Sequence, residues 1–102
     1  MKNETKGTWR SLFLPDSCGS EGGIICADEE YEGTCRITLE KCKKYYAITC
    51  GVYGEMVHTV FCGAENYQDI YNSMKDDLAR FIDSQLAGDE AYAFYDSFCS
   101  KY

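Results

Sequence analysis

Apolar and polar residues alternate with a period of two in three segments near the middle of the chain. The segments are Cys35–Glu40, Tyr45–Tyr53 and Met56–Cys62. This period is typical of strands with one face buried and the other in solvent. Short polar or glycine-containing breaks separate the segments, so the pattern predicts an antiparallel meander of three strands.

The first break, Lys41–Lys44, is long enough for a four-residue hairpin loop. Such a loop would place Ile37 opposite Ile48 and would keep the apolar residues of both strands on one face.

The second break, Gly54-Glu55, suits a two-residue type II′ turn, which would set Val52 against Val57. An alternative three-residue loop, Tyr53–Glu55, would instead place His58 directly opposite Cys50. With the two-residue turn, both hairpins agree on one core face, formed by Cys35, Ile37, Leu39, Tyr46, Ile48, Cys50, Val52, Val57 and Phe61.

An earlier segment, Gly23–Tyr31, begins apolar and ends in acidic residues, which indicates a fourth strand at the edge of the sheet. Any short-turn register points one of Asp28, Glu29 or Glu30 inward. Either the strand breaks into a loop near Asp28, or one of these carboxylates has a function inside the fold.

Helical spacing replaces strand spacing after Gly63. Asn66 and Asp69 resemble a helix-capping pair, and Gly88 suits the position that follows a helix. Asp89 can then cap a second, shorter helix. The apolar residues at helical spacing are Tyr67, Ile70, Tyr71, Met74, Leu78, Phe81 and Ile82 in the first helix, and Ala91, Phe94, Tyr95 and Phe98 in the second.

These elements predict one α+β domain over residues 1–102, with a meander of three to four strands. One long and one short C-terminal helix are expected to pack on the core face of that sheet.

The opposite face of the predicted sheet is unusually apolar for a solvated surface. Either the segment Trp9–Leu14 folds back over it, or it binds a partner or a second copy of the chain. Its expected members are Tyr45, Ala47, Tyr53, Met56, His58, Val60 and Cys62.

Charge narrows the choice of partners. The net charge is −7, and the one basic cluster is Lys41, Lys43 and Lys44. A nucleic-acid or anionic-membrane surface needs clustered basic residues, so we expect neither partner. No apolar stretch approaches the length of a secretion signal or a membrane span, which favours a cytoplasmic protein.

Seven cysteines in 102 residues are compatible with zinc binding or thiol chemistry, but no two of them form a Cys-x-x-Cys pair. We therefore expect no metal and no cofactor, and we expect the thiols to act as core packing. The lone histidine, His58, is the required base of any Cys–His pair. Cys42 lies between lysines, which lower a thiol pKa, so it is the candidate reactive thiol.

No catalytic motif is present, which favours a binding protein over an enzyme. We expect a small interaction module of inhibitor or immunity type that uses an acidic and aromatic surface toward a basic protein, or that forms a homodimer. The candidate binding residues are Tyr45, Tyr53, Met56, His58 and Cys42. The alternative is a cysteine-rich zinc-binding or thiol-redox protein.

Overall fold

Five antiparallel strands followed by two helices make up the computed structural model of this chain, which describes residues 7–102. The α+β class and the two C-terminal helices are confirmed, whereas the sheet has five strands rather than three to four. The elements are β1 (Trp9–Ser11), β2 (Ile24–Tyr31), β3 (Cys35–Lys41), β4 (Tyr46–Val52), β5 (Met56–Cys62), α1 (Tyr67–Ser84) and α2 (Asp89–Lys101). Neighbouring strands pair in sequence order from β1 to β5.

The β3–β4 hairpin keeps the predicted faces but not the predicted partners. Ile37 lies opposite Cys50 instead of Ile48, because Lys41 remains in β3 and pairs with Tyr46. The loop is therefore residues 42–45, and the Cys42 N–H donates to the Tyr45 carbonyl at 2.9 Å. Since the register moves by two residues, every side chain stays on its expected face.

The β4–β5 hairpin has the alternative three-residue loop, so the prediction of a two-residue type II′ turn is wrong. Gly54 adopts a φ of 76°, and the Glu55 N–H donates to the Val52 carbonyl at 2.9 Å, which closes a turn over residues 52–55. Val52 consequently pairs with Met56, and Cys50 pairs with His58.

A one-residue difference in register reverses both faces of β5. Val57 and Phe61, expected in the core, are 78% and 57% exposed. Met56 and Cys62, expected on the other face, are buried. The predicted core is therefore wrong for β5. Four residues expected on the apolar outer surface instead face the helices: Met56, His58, Val60 and Cys62.

Strand β2 continues to Tyr31 without the break predicted near Asp28. A bulge between Ile25 and Ala27 shifts its register against β3. Asp28 and Glu29 then point to opposite faces, and each meets a cation: Asp28 pairs with Arg36, and Glu29 pairs with Lys75 on α1 at 2.6 Å. Ion pairing lets acidic residues occupy an internal strand.

The fifth strand, β1, pairs Trp9 with Tyr31 along the free edge of β2. The two rings lie with their centroids 5.1 Å apart. A three-residue strand gives too short an alternation for the sequence pattern to reveal it.

Both helices pack on one side of the sheet, which we call the helix face; the other side is the open face. Tyr46 stacks on Tyr67 of α1 at 3.8 Å, and His58 contacts Phe98 of α2 at a centroid distance of 6.1 Å. The predicted helical stripes supply the core. Its fully buried large apolar side chains are Tyr31, Ile37, Ile48, Met74, Leu78 and Cys35.

The helix ends differ from the predicted capping. The Asn66 side chain accepts from the Gly63 N–H at 3.1 Å and caps no helical N–H. Gln85, not Gly88, takes the left-handed conformation after α1, with φ 55°. Gly88 instead occupies the N-cap of α2, so Asp89 is the first residue of that helix.

Neither helix in the described part of the chain has the length and apolar character needed to cross a bilayer.

The backbones of β4 and β5 come close together at Gly51, so adding a side chain there tests the geometry of this hairpin. An added Cβ there would lie 2.7 Å from the Met56 carbonyl oxygen, well inside the normal contact distance. We expect Gly51→Ala to lower the free energy of unfolding by about 1–3 kcal/mol, measured by urea denaturation. Gly63→Ala is the control, because its added Cβ would meet only the mobile end of Glu65. Equal stability of the two variants would contradict this hairpin geometry.

Candidate binding site on the open face

The segment after β1 builds a wall against the β2–β3 half of the open face. The Leu12 N–H donates to the Asp28 carbonyl at 2.7 Å, and the Ile25 N–H donates to the Ser17 carbonyl at 3.0 Å. The expectation that Trp9–Leu14 covers this face is met only in part. Trp9 itself lies on the helix face beside Tyr31, and only the residues after Ser11 border the open face.

Between this wall and the sheet lies a cavity of about 460 Å³. Its walls are largely apolar and its floor is polar, a combination common in ligand sites. The apolar lining includes Leu12, Leu14, Ile25, Val52 and Val57, and the polar lining includes Asp28, Arg36, Thr38, Glu40 and Thr49.

Asp28 and Arg36 form the centre of the polar floor. The Asp28 carboxylate accepts from Arg36 Nε at 2.8 Å and from Nη2 at 2.6 Å, and also from the Thr38 hydroxyl at 3.1 Å. The Arg36 hydrogen bond lowers the pKa of Asp28 below its usual value, although burial acts in the opposite direction. The carboxylate is therefore ionised and fixed in place.

Arg36 remains open to a ligand. Its side chain is 48% exposed, and Asp28 uses two of its five N–H donors. A ligand with an acceptor group above the floor can therefore receive a hydrogen bond from Arg36 without breaking the ion pair.

A second network orients Tyr53 at the cavity rim. The Tyr53 hydroxyl donates to Glu30 at 2.7 Å, and Arg10 Nη2 pairs with the other Glu30 oxygen at 2.6 Å. These contacts, with the Tyr53 hydrogen bond foremost, lower the pKa of Glu30. The Tyr53 ring is thus held at the surface by its hydroxyl group.

Glu40 anchors the loop that closes the wall. This carboxylate is almost completely buried and accepts the Gly23 N–H at 2.8 Å and the Glu21 N–H at 3.3 Å. In the alternating pattern Glu40 is simply a polar strand residue, so sequence reasoning did not identify its role.

Beside the cavity, the β4–β5 half of the open face carries an apolar patch of Tyr45, Tyr53, Val57 and Phe61. All four side chains are exposed. Tyr45 and Phe61 contact each other edge to face, with ring centroids 5.3 Å apart. Val57 and Tyr53 also line the cavity, so the patch and the cavity form one continuous surface.

The five predicted binding residues do not come together. Tyr45 and Tyr53 belong to the apolar patch, and Cys42 shares the 42–45 loop with Tyr45. Met56 and His58 face the helices, although Met56 also borders the cavity. Sequence reasoning missed Val57 and Phe61 because the assumed turn placed them in the core. It missed Asp28–Arg36 because the sequence does not show which residues face each other across strands.

His58 and Cys50 lie opposite each other, as the alternative loop required. They do not form an activated pair. Burial raises the pKa of Cys50 to about 12, which leaves the thiol protonated at neutral pH. His58 Nε2 is buried and has no hydrogen-bond partner in the described part of the chain. The hydrogen bond through which a histidine activates a thiol is therefore missing at this nitrogen.

The cysteines are dispersed through the fold. All seven lie within residues 7–102, and none of them is in a disulfide there. Cys35, Cys50 and Cys62 are buried, as expected for packing, but Cys18, Cys26 and Cys99 are exposed. Among the described residues, no group of three or more potential ligands is arranged to hold a metal ion.

Comparison of the chain with protein-family models, curated proteins and solved structures finds no significant match.

The Asp28–Arg36 pair predicts a pH-dependent stability. We expect Asp28→Asn to lower the free energy of unfolding by about 2 kcal/mol near neutral pH, because hydrogen bonds to a charged acceptor are lost. A lowered pKa stabilises the fold only while the carboxyl is ionised. The difference from wild type should therefore shrink as the pH falls below 3.8.

Urea titrations of wild type and Asp28→Asn across acidic pH measure this difference. Glu55→Gln is the control, because that exposed carboxylate makes no hydrogen bond or ion pair with the described residues. A difference that stays constant through the acid range would contradict the proposed role of Asp28.

The order in which the cysteines react with maleimide gives a second test, of which thiols the fold buries. The structure changes the expectation for Cys42, because its sulfur is half-buried and contacts the Glu40 carboxylate at 3.9 Å. We expect maleimide to label exposed Cys18 and Cys26 before Cys42. Cys35 and Cys50 should not label in the folded protein, because burial raises both pKa values to about 12.

Peptide mapping by mass spectrometry identifies the order of labelling, with urea-unfolded protein as the control in which all seven react. Fastest labelling at Cys42 would instead support the influence of its neighbouring lysines.

Proposed function

We propose that this protein is a small binding module of inhibitor or immunity type that holds a partner protein on its open face. The apolar patch is the contact surface, and the cavity beside it receives a side chain of the partner. The partner is a basic protein. Each part of this proposal is supported by a different property of the surface.

The apolar patch is the observation that carries the proposal. Three aromatic rings and a valine lie exposed on one area of the sheet, where single exposed apolar residues are the norm. Tyrosine and phenylalanine have two side-chain torsions each, so fixing them on binding costs little entropy. The Tyr53–Glu30 and Tyr45–Phe61 contacts already restrict all three rings in the free protein.

The cavity adds specificity to this surface. A partner side chain with an apolar stem and an acceptor group at its end can fill the space between Leu14 and Val57 and accept a hydrogen bond from Arg36. A polar floor beneath an apolar wall distinguishes ligands by hydrogen bonding as well as by shape.

The excess of acidic over basic residues lies mainly on the other side of the molecule. Residues 65–102, which include both helices, contain eight acidic and three basic residues. This charge therefore acts at a distance from the apolar patch. Long-range attraction of this kind raises the association rate with a basic partner, whereas buried apolar contacts set the dissociation rate.

The zinc-binding or thiol-redox alternative stays a prediction. Elemental analysis of freshly purified protein, together with a count of free thiols without reductant, tests it directly. Stoichiometric zinc or fewer than seven free thiols would favour this alternative over the binding module.

Tyr53 tests the proposed binding surface. We expect Tyr53→Ala to weaken partner binding by about 30-fold, the usual effect of removing an aromatic hot-spot residue. Proteins captured from an extract of the source cells by immobilised wild type and variant would be compared by quantitative mass spectrometry. Proteins specific to wild type should be basic, and their capture should decrease at high salt.

Tyr92→Ala is the matched control, because Tyr92 is an exposed tyrosine on α2, away from the open face. It should capture the same proteins as wild type. Capture that is equal for all three proteins, or no capture above empty beads, would contradict the proposal.

A further inference from the structure

The outer edge of β5 is a seven-residue strand edge that no other element of the described chain pairs with. Strand β5 is last in the sheet order and pairs only with β4. Among residues 7–102, no backbone or side-chain hydrogen bond reaches its backbone from any element other than β4. Alternate N–H and C=O groups of an edge strand point outward, so this edge is a template for a further strand.

Protein chains usually protect such an edge with charged residues, proline or a very short strand. The opposite edge of this sheet follows that rule, because β1 has three residues and includes the ion-paired Arg10. Strand β5 has the sequence MVHTVFC, without proline or an acidic or basic residue other than a single histidine. Its exposed Val57 and Phe61 make it still more prone to association.

We propose that β5 pairs with β5 of a second copy of this chain, antiparallel and about a two-fold axis at Thr59. The two five-stranded sheets then form one ten-stranded sheet. On the open face, Val57 lies opposite Phe61 of the second copy, and Thr59 lies opposite its own equivalent. On the helix face, His58 lies opposite Val60 of the second copy.

The pattern of β5 favours a second copy over a different strand. Its open-face residues are apolar, polar and apolar about Thr59, so the same pattern is read in both directions. A two-fold interface requires this self-complementarity. Each pair on the open face is then apolar with apolar or hydroxyl with hydroxyl, the combinations that stabilise antiparallel strands.

Electrostatics are compatible with this register although each copy carries a net charge of −7. Extending the pairing past the strand ends sets Glu55 opposite Gly63 and Glu65 opposite Tyr53 of the other copy. No two acidic residues face each other across the axis. The excess acidic charge lies in the helical part of each copy and does not enter the strand pairing.

The dimer would also join the two apolar patches, because Val57 and Phe61 of one copy become neighbours of Phe61 and Val57 of the other. This inference is independent of the identity of any basic partner. Dimerisation and partner binding can each succeed without the other. Sedimentation reports the dimer, and the capture experiment reports the partner.

Thr59 gives a test that is specific for the register. Wild-type protein in a concentration series of sedimentation experiments should approach twice the monomer mass of 11.6 kDa. Thr59→Lys and Thr59→Glu should each raise the dissociation constant about fivefold or more, since like charges then lie directly opposite each other. Mixing the two variants should restore dimers, because lysine faces glutamate.

Tyr92→Lys is the control, because it adds the same positive charge as Thr59→Lys but at an exposed residue of α2. This variant should dimerise as wild type does. Circular dichroism confirms that each variant is folded. If the Thr59 variants unfold, Val57→Lys mixed with Phe61→Glu tests the same register at exposed residues. A monomeric wild type at every concentration, unchanged dimers in the folded single variants, or no recovery on mixing would overturn the proposal.

Discussion

The register of β5 against β4 sets which side chains of this strand enter the core and which face solvent. Gly54, in the left-handed region at φ 76°, permits a three-residue connection in which Cys50 faces His58. A two-residue connection would have exchanged the two faces of β5. The observed register places Met56 and Cys62 in the core and leaves Val57 and Phe61 outside. The exposure of Val57 and Phe61, and with it the apolar patch, results from this one turn.

Buried and half-buried carboxylates, each with a cation or N–H partner, make the β2 side of the sheet possible. A charged group taken out of water is tolerated only when cations or N–H groups surround it. Asp28 meets Arg36, Glu29 meets Lys75, and Glu40 receives backbone N–H groups from the loop before β2. The Asp28 and Glu40 contacts also fix the floor and the wall of the cavity, so features that stabilise this half of the molecule shape its candidate site.

Charge and apolar surface are separated in this molecule, and the separation supports two distinct roles. The helical part carries most of the acidic excess, while the open face carries the exposed aromatic rings. Charge acts across a Debye length and influences which molecules approach, whereas apolar burial acts only at contact. The proposed binding module would select its partner in two steps, first by charge and then by shape.

The sequence was sufficient for the α+β class, the strands β2 to β5 and the apolar stripes of both helices, because these depend on local patterns of apolar and polar residues. It also identified both hairpin loops to within one residue. Tertiary structure decided what periodicity does not contain: that Val57 faces solvent, that Arg36 neutralises Asp28, and that Trp9–Ser11 adds a strand. These depend on pairing between residues distant in the chain, where a shift of one residue reverses a face, and local patterns do not resolve a shift that small.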